Sequence, residues 1–422
     1  MRVLFISQTA CIGGGVERWM ADMIAGLKAD DIQCTVGLAK GLVFHKPKNY
    51  LAAYPEIDGF IELDGTSGVA SSRRLAVARA IYSLQPQIVV PVMCADGLAE
   101  SVRLKSKLNF RIVYPVHEIC DGVANDLQRF APWIDQVIFV DQGGLQRYQS
   151  LLDSIPVKAG VIPCGVLGST TEHKESDPKA LHIGFCGRLQ QNQKRALDLV
   201  HLCEQLEEIN QPYHLHIIGD GPERVDLSAK LATRIGSGVV EMSPRKNRDE
   251  IFKTFYPAID VLFVASDWET GPLVAFEAMM NHCLVVTSNF SGRETSRSLM
   301  DGERCLVFPV GDMAAAARRL QWVATHRDDA RMIAHRGFQY AMDNRSIDQM
   351  VTSWVNVFNT AWAAAPVVSN APVPKEKTGQ SRLEALGCPD WLSARLRKCS
   401  GRRFEHAHAG EEWPYYSGPV HE

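Results

Sequence analysis

One stretch of this 422-residue chain constrains its fold more than any other. An apolar run from Val261 to Ala265 leads into Gly271 and Pro272, then a segment of helical appearance, then a second apolar run from Cys283 to Thr287. The reading is strand, tight loop, helix, strand. Glu269 falls in the loop just before the helix, and Glu277 lies inside the helix. Amides at a helix N-terminus bind anions. A carboxylate in the preceding loop and another two turns into the helix are placed to grip hydroxyls on either side of such an anion. A phosphate flanked by two polyols is a sugar nucleotide. The same residues also suit an ordinary surface loop with two solvent-facing glutamates, and the stretch alone leaves both readings open.

Length and composition fit two αβ domains plus an extension, with 46% hydrophobic and 22% charged residues. The formal net charge of -3 makes no global case for a nucleic-acid partner. Eleven cysteines are scattered without metal-like spacing. Cys388 and Cys399 are the nearby pair in the tail and form no zinc or redox motif. An odd count with no signal peptide points to a reducing compartment, so the expected location is cytoplasmic. No apolar run is long enough to span a bilayer.

The first half opens with the strand Val3 to Ser7. A loop with Gly13, Gly14 and Gly15 follows, then a helix from about Glu17 to Ala29 whose Trp19, Met20, Met23, Ile24 and Leu27 repeat at helical spacing. This is the opening of a doubly wound domain. Three consecutive glycines followed by Val16 and Glu17 do not make the G-x-G-x-x-G dinucleotide fingerprint, and a tight turn explains them equally well. Further strands are read at Cys34 to Leu38, Ile88 to Met93, Phe110 to Val116 and Trp133 to Val140, with a helix at Arg73 to Leu84. His117 stands at a strand's carboxyl end, where open αβ sheets bind ligands. It reads either as a ligand contact or as a structural histidine.

A polar stretch, Gly165 to Lys179, reads as a linker. The strand Leu181 to Cys186 then leads into GRLQQNQKR, which places Arg188 and Lys194 in or near the following loop, ahead of a helix from about Arg195 to Ile209. Two cations at a strand–loop–helix junction suit a diphosphate; a solvated basic loop is the alternative. Strands at His214 to Ile218, Val239 to Met242 and Cys305 to Pro309, with a helix at Asp312 to His326, continue the alternation. Ile347 to Trp362 is amphipathic at helical spacing, with Trp354, Phe358 and Trp362 on its apolar positions. Beyond it lie an Ala- and Pro-rich linker, Ala363 to Gly379, a short helix, Asp390 to Lys398, and the basic pair Arg402 and Arg403. For this tail three readings stand open: a helix on a membrane surface, a helix docked on its own domain, or no fixed structure.

Taken in order, GGGVE, VHE, GRLQQNQKR, GDGP and ETGPLVAFE resemble the GT4 family of retaining glycosyltransferases, the glycosyl transferases group 1, over residues 1 to 362. The resemblance implies an α/β chain of GT-B fold, with two Rossmann-like domains facing across a cleft. It implies an acceptor-side domain over 1–165, a linker over 166–179, a nucleotide-sugar domain over 180–345 and a helix over 346–362 that crosses back. On this reading Gly14 and Gly15 line the acceptor and phosphate side, and His117 contacts the transferred sugar near its C6 hydroxyl. Arg188 and Lys194 neutralise the diphosphate. Glu269 holds donor-sugar hydroxyls, backbone amides of Gly271, Pro272 and Leu273 approach the sugar or phosphate, and Glu277 binds the ribose. Glu17 matches the acidic residue common after the glycines. No cofactor and no metal are implied, and no DxD motif occurs at a suitable strand end.

The donor implied is a UDP- or GDP-sugar. The acceptor is a hydroxyl on a glycan, a lipid-linked glycan or another molecule. The product belongs to glycan, polysaccharide or glycoconjugate synthesis. The basic tail residues lean toward a peripheral contact with the inner face of a membrane, and Val43 to Tyr54 and Gly65 to Arg74 are candidate acceptor loops. The chain also departs from the family. His282 and Leu284 stand where a glycine and a proline are usual, ETGP lacks the usual loop aromatic, and Cys305 stands where glycine is common. A sugar-nucleotide epimerase of GT-B fold, a phosphorylase-like enzyme and a non-catalytic carbohydrate-binding GT-B protein are the rival readings.

Overall fold

The computed structural model describes residues 1–155, 157–168, 180–293, 297–367, 369, 371–374, 383, 386–401 and 405–417. The chain divides into two compact units, Met1–Pro163 together with Met350–Glu422, and Cys164–Gln349.

The first unit is built on seven parallel strands, β1 (Arg2–Ser7), β2 (Gln33–Lys40), β3 (Phe60–Asp64), β4 (Ile88–Val92), β5 (Arg111–Val116), β6 (Gln136–Phe139) and β7 (Lys158–Val161). Their order is β3-β2-β1-β4-β5-β6-β7, so the winding reverses between β1 and β4, the place where doubly wound sheets bind ligands. Strands covered on both faces lack polar alternation. All five residues of β4, IVVPV, are accordingly buried. The β4–β5 ladder holds only Ile88↔Arg111 and Val89↔Ile112. Pro91 and Pro115 follow in the two strands, and proline has no N–H to donate, so pairing stops there.

The second unit carries six parallel strands, β8 (Leu181–Cys186), β9 (Tyr213–Ile218), β10 (Val240–Ser243), β11 (Val261–Val264), β12 (Leu284–Ser288) and β13 (Leu306–Phe308), in the order β10-β9-β8-β11-β12-β13. Both units are therefore Rossmann-like α/β layers, as the alternation of strands and helices predicts. The longest helix of the second unit, Arg327–Asn344, has no counterpart in the sequence reading.

The helix Ile347–Ala363 joins the first unit from Met350 onward. Trp354 packs on Trp19 with ring centroids 5.5 Å apart, and Phe358 on Phe5 at 6.3 Å. Gly26 makes room for Val351, whose methyl would stand 2.4 Å from any Cβ placed there. The Arg111 guanidinium caps the far end: it donates to the carbonyls of Ala361 and Ala364 and lies 5.0 Å over the Trp362 ring. A cation at a helix C-terminus meets carbonyls that have no helical partner.

Two sequence expectations change, and the tail takes one of the readings left open for it, a helix docked on its own domain. The linker read over 166–179 begins too early: Val166 N–H donates to Arg345 O, and the residue bridges to Ser346, so it belongs to the second unit. The rest of that stretch, 169–179, lies outside the described residues. The candidate acceptor loops are partly helical, with Pro47–Ala53 a helix and Ala70 opening the helix Ala70–Leu84. In the tail, a helix forms at Asp390–Ser400, Lys398 Nζ pairs with Asp64 at 3.0 Å, and Trp413 enters the first unit's core. Arg402 and Arg403 lie outside the described residues. Among those described, no helix is long and apolar enough to cross a membrane.

Candidate functional site

The loop after β11 is held from two sides. Asp267 N–H donates to Gln193 O at 2.8 Å, and Ser291 N–H donates to Asp267 O at 3.0 Å. Ser288 Oγ donates to Ser266 O. Within this frame Glu269 is buried, and its Oε1 accepts from Lys194 Nζ at 2.5 Å and from Ser266 Oγ at 2.6 Å. Two residues later Gly271 has φ +113°, a conformation that side-chain-bearing residues rarely adopt. Pro272 precedes the helix Leu273–Met280, whose first turn has no side-chain cap. Ala275 N–H turns inward onto Pro272 O at 3.0 Å, and the N–H groups ahead of it lie at the helix start, where a helix offers no acceptor of its own.

Glu277 stands in that helix. Tyr256 OH donates to its Oε2 at 2.9 Å, and Asn281 Nδ2 donates to its backbone carbonyl at 2.7 Å. Burial first, and then the Glu277 charge, push the Tyr256 phenol well above its ordinary value, so it stays a proton donor. Tyr256 follows a π-helical turn, Ile251–Phe255, a distortion frequent at functional sites. Cys186 stands at the end of β8. Its thiol is pushed up to about 12 by burial foremost and by Glu277, against the opposing pull of Lys194.

Lys194 sits on a single helical turn, Gln191–Lys194, rather than in an open loop. Arg188 is exposed, and its Nη1 donates to Gln190 Oε1 at 3.2 Å. The two glycines of GDGP serve a close approach of loops. A Cβ at Gly219 would stand 2.0 Å from Gly187 O, and one at Gly221 would stand 2.2 Å from Leu189 O. Leu189 N–H donates to Asp220 O at 2.9 Å. The loops after β8 and β9 are thereby locked together, which fixes the backbone that carries Arg188.

In the first unit the glycines divide their work. Gly13 has φ +85° and donates its N–H to Tyr54 OH at 2.7 Å. Gly14 is the N-cap of the helix Gly15–Leu27, and a Cβ there would meet Glu17 Oε2 at 2.2 Å. His117, just past β5, is buried with its ring 4.4 Å from that of Trp19, and its Nε2 has no hydrogen-bond partner among the described residues. The indole nitrogens of Trp19 and Trp354 are likewise buried without one.

Burial holds the His117 imidazole down at about 3 from its ordinary 6.5. The folded chain refuses a proton that the unfolded chain accepts, so this contribution to stability is full above pH 6.5 and is lost as pH falls toward 3. At about 1.4 kcal/mol per pH unit, the loss between about pH 6.5 and 4.5 is about 2 kcal/mol. His117→Phe keeps a ring against Trp19 and should lose less stability over that interval. Urea midpoints at the two pH values test this, and equal losses in both proteins would contradict it.

The structure thus brings Lys194, Glu269, Gly271, Pro272, Leu273 and Glu277 to one end of the second sheet, with Arg188 on the loop after β8. In the first unit it groups His117 with Trp19, which stands on the helix that Gly14 caps and Gly15 opens. Ser266, Tyr256 and Trp19 are the partners that the sequence reading left without a role. The departures are structural. His282 ends the helix Leu273–Met280 at φ +59°, with His282 N–H donating to Met279 O and Cys283 N–H to Ala278 O, the paired bonds of a Schellman cap. The His282 ring stacks on Phe338 at 3.9 Å, so packing offsets the strain that a glycine would have avoided. Cys305 is wholly buried, and burial pushes its thiol up to about 12.

Two Rossmann-like units in one chain, the second carrying these loops, define the GT-B glycosyltransferase architecture. Residues 180–326, which lie within the second unit, match the family described as Glycosyl transferases group 1. Among solved structures, the chain is similar to sucrose-phosphate synthase from Thermosynechococcus elongatus, with TM-score 0.71 and 15% identity, over 86% of this chain and 100% of that one. It is similar to Anabaena HepE in complex with UDP and glucose, with TM-score 0.67 and 16% identity over 85% and 100%. It is also similar to the pneumococcal O-GlcNAc transferase GtfA in complex with UDP and GlcNAc, with TM-score 0.70 and 12% identity over 86% and 99%. A comparison with curated proteins finds no match.

Proposed function

We propose that this chain is a retaining glycosyltransferase that moves a sugar from a nucleoside diphosphate sugar to a hydroxyl acceptor. The observation that carries the reading is the paired arrangement after β11: Glu269 bound by Lys194 and Ser266, and Glu277 bound by Tyr256, on either side of the uncapped start of Leu273–Met280. An anion at the helix start would have amides before it and a carboxylate on each flank. Lys194 would turn from Glu269 toward the diphosphate, and Arg188 is exposed and able to follow it. Glu269 would then accept from donor-sugar hydroxyls and Glu277 from the ribose.

The bond that breaks joins the anomeric carbon to the diphosphate, and negative charge grows on the leaving oxygen. Fixed cations and amides that meet this charge stabilise the transition state more than the ground state. The acceptor oxygen attacks from the face the nucleotide leaves, and its proton passes to the leaving phosphate, so no protein base is assigned. His117 stays neutral near pH 7, and its buried Nε2 would share a hydrogen bond with a sugar hydroxyl once uncovered. UDP is the favoured nucleotide because HepE and GtfA were both crystallised with it; GDP is the alternative. The products expected are glycans or glycoconjugates, the work is expected in the cytoplasm, and no metal is required. The acceptor side is assigned to the first unit.

Incubation with UDP-sugars and a panel of saccharide acceptors tests this, with the product's anomeric configuration read by NMR. The reading expects transfer with the donor's configuration kept. Product formed from donor alone, as an epimer, would replace it with the epimerase reading.

A further inference from the structure

The first unit's ligand-binding edge is occupied by the chain's own C-terminal segment. Residues 409–417 run across the carboxyl ends of β2, β1, β4 and β5 in turn. At β2, both oxygens of the Glu412 carboxylate are bound by successive backbone amides. Oε1 accepts from Leu42 and from Val43 at 2.8 Å, and Oε2 accepts from Phe44 at 2.7 Å and His45 at 3.1 Å. Trp413 Nε1 donates to Lys40 O at 3.2 Å. At β1 and β4, Gln8 Nε2 donates to Trp413 O at 2.9 Å, and Ala95 N–H donates to Pro414 O at 3.0 Å. Just past β5, Tyr416 OH donates to Glu118 Oε2 at 2.6 Å, and Ser417 N–H donates to Asp126 Oδ1, on the helix Asp121–Phe130, at 2.9 Å.

The unit is shaped to receive this segment. Glu412 is 1% exposed and Trp413 0%. A Cβ at Gly65 would stand 2.7 Å from the Trp413 indole, and one at Gly122 would stand 2.5 Å from the Tyr416 ring. Backbone amides satisfied by a carboxylate and an indole in the core are expensive to separate, so the segment is a fixed part of the unit. It crosses the reversal point between β1 and β4, where an open αβ sheet takes its ligand.

We propose that residues 409–417 are a built-in wall of the acceptor subsite, which closes the strand ends from β2 to β5 and so restricts the acceptors this chain accepts. The inference rests on the acceptor side lying in the first unit. It makes the buried Glu412 and Trp413 the anchors that position the wall, and the half-buried Tyr416 a member of it.

Two variants of the full protein test it: removal of residues 405–422, and Gly122→Leu, which displaces the Tyr416 ring without altering the segment itself. Saturation-transfer NMR with mono-, di- and longer oligosaccharides reads saccharide binding, and calorimetry with UDP reads the donor site separately. The wall predicts that the variants gain longer oligosaccharides, by about tenfold in affinity or more over the intact chain, while UDP affinity is unchanged. If the truncated chain fails to fold, Gly122→Leu carries the test. The same saccharide profile in intact and altered chains overturns the wall, as does loss of all saccharide binding. Absence of UDP binding in every protein would instead count against the donor reading and leave the saccharide comparison to decide the wall.

Discussion

Lys194→Met should lower kcat/KM for the donor by about a hundredfold to a thousandfold, the usual cost of removing one group that stabilises a developing oxyanion. The effect has two parts. The cation that would meet the leaving diphosphate is gone, and Glu269 keeps a buried carboxylate with only Ser266 Oγ at 2.6 Å among the partners described above. Steady-state kinetics separates them. Loss of diphosphate stabilisation lowers kcat, whereas a misplaced Glu269 raises KM for the donor sugar more than it weakens UDP. Melting temperature should also fall, because one half of a buried ion pair is left without the other. A variant with unchanged kcat would remove Lys194 from the reaction and leave it a structural partner of Glu269.

Glu277→Ala should weaken donor binding by about tenfold to a hundredfold, the worth of hydrogen bonds to a charged group. The substitution also strips the Tyr256 hydroxyl of its acceptor at 2.9 Å. Tyr256→Phe is therefore the control. It removes that hydrogen bond and keeps the ring and the carboxylate, so its effect on affinity should be several times smaller. Calorimetry with UDP and with a UDP-sugar reads both variants. Equal affinity for the nucleotide in wild type and Glu277→Ala would contradict the ribose assignment.

What the sequence discloses follows from local chemistry. Strands buried on both faces appear as continuous apolar runs, which is why Val261 to Ala265 is legible to within one residue of the strand Val261–Val264. The edge strand β3, FIELD, escapes because its first and third residues are exposed and its run is broken by charge. Helices Ala95–Lys105, Asp121–Phe130 and Gln142–Leu152 escape as well. They fill the spacing between strands, and the strands alone imply crossovers without bounding them.

The site divides in the same way. Glu269, Glu277 and Lys194 stand out because residue type and position after a strand carry the signal. Their partners do not. Tyr256 meets Glu277 from the preceding strand–helix unit. Trp19 reads as an ordinary apolar helix position, although it packs on His117. The tail is the extreme case: nothing local to Glu412 announces four amides at Leu42 to His45. Tertiary structure alone assigns that carboxylate a place.

The most direct test of the central claim is calorimetric titration of the intact chain with UDP, GDP and their sugars, with Glu277→Ala alongside. The account predicts that one nucleotide series binds, that its sugar form binds at the same site, and that Glu277→Ala weakens both. No binding by any nucleoside diphosphate or its sugar would contradict it, and would leave a GT-B chain whose loops after β8 and β11 hold no donor.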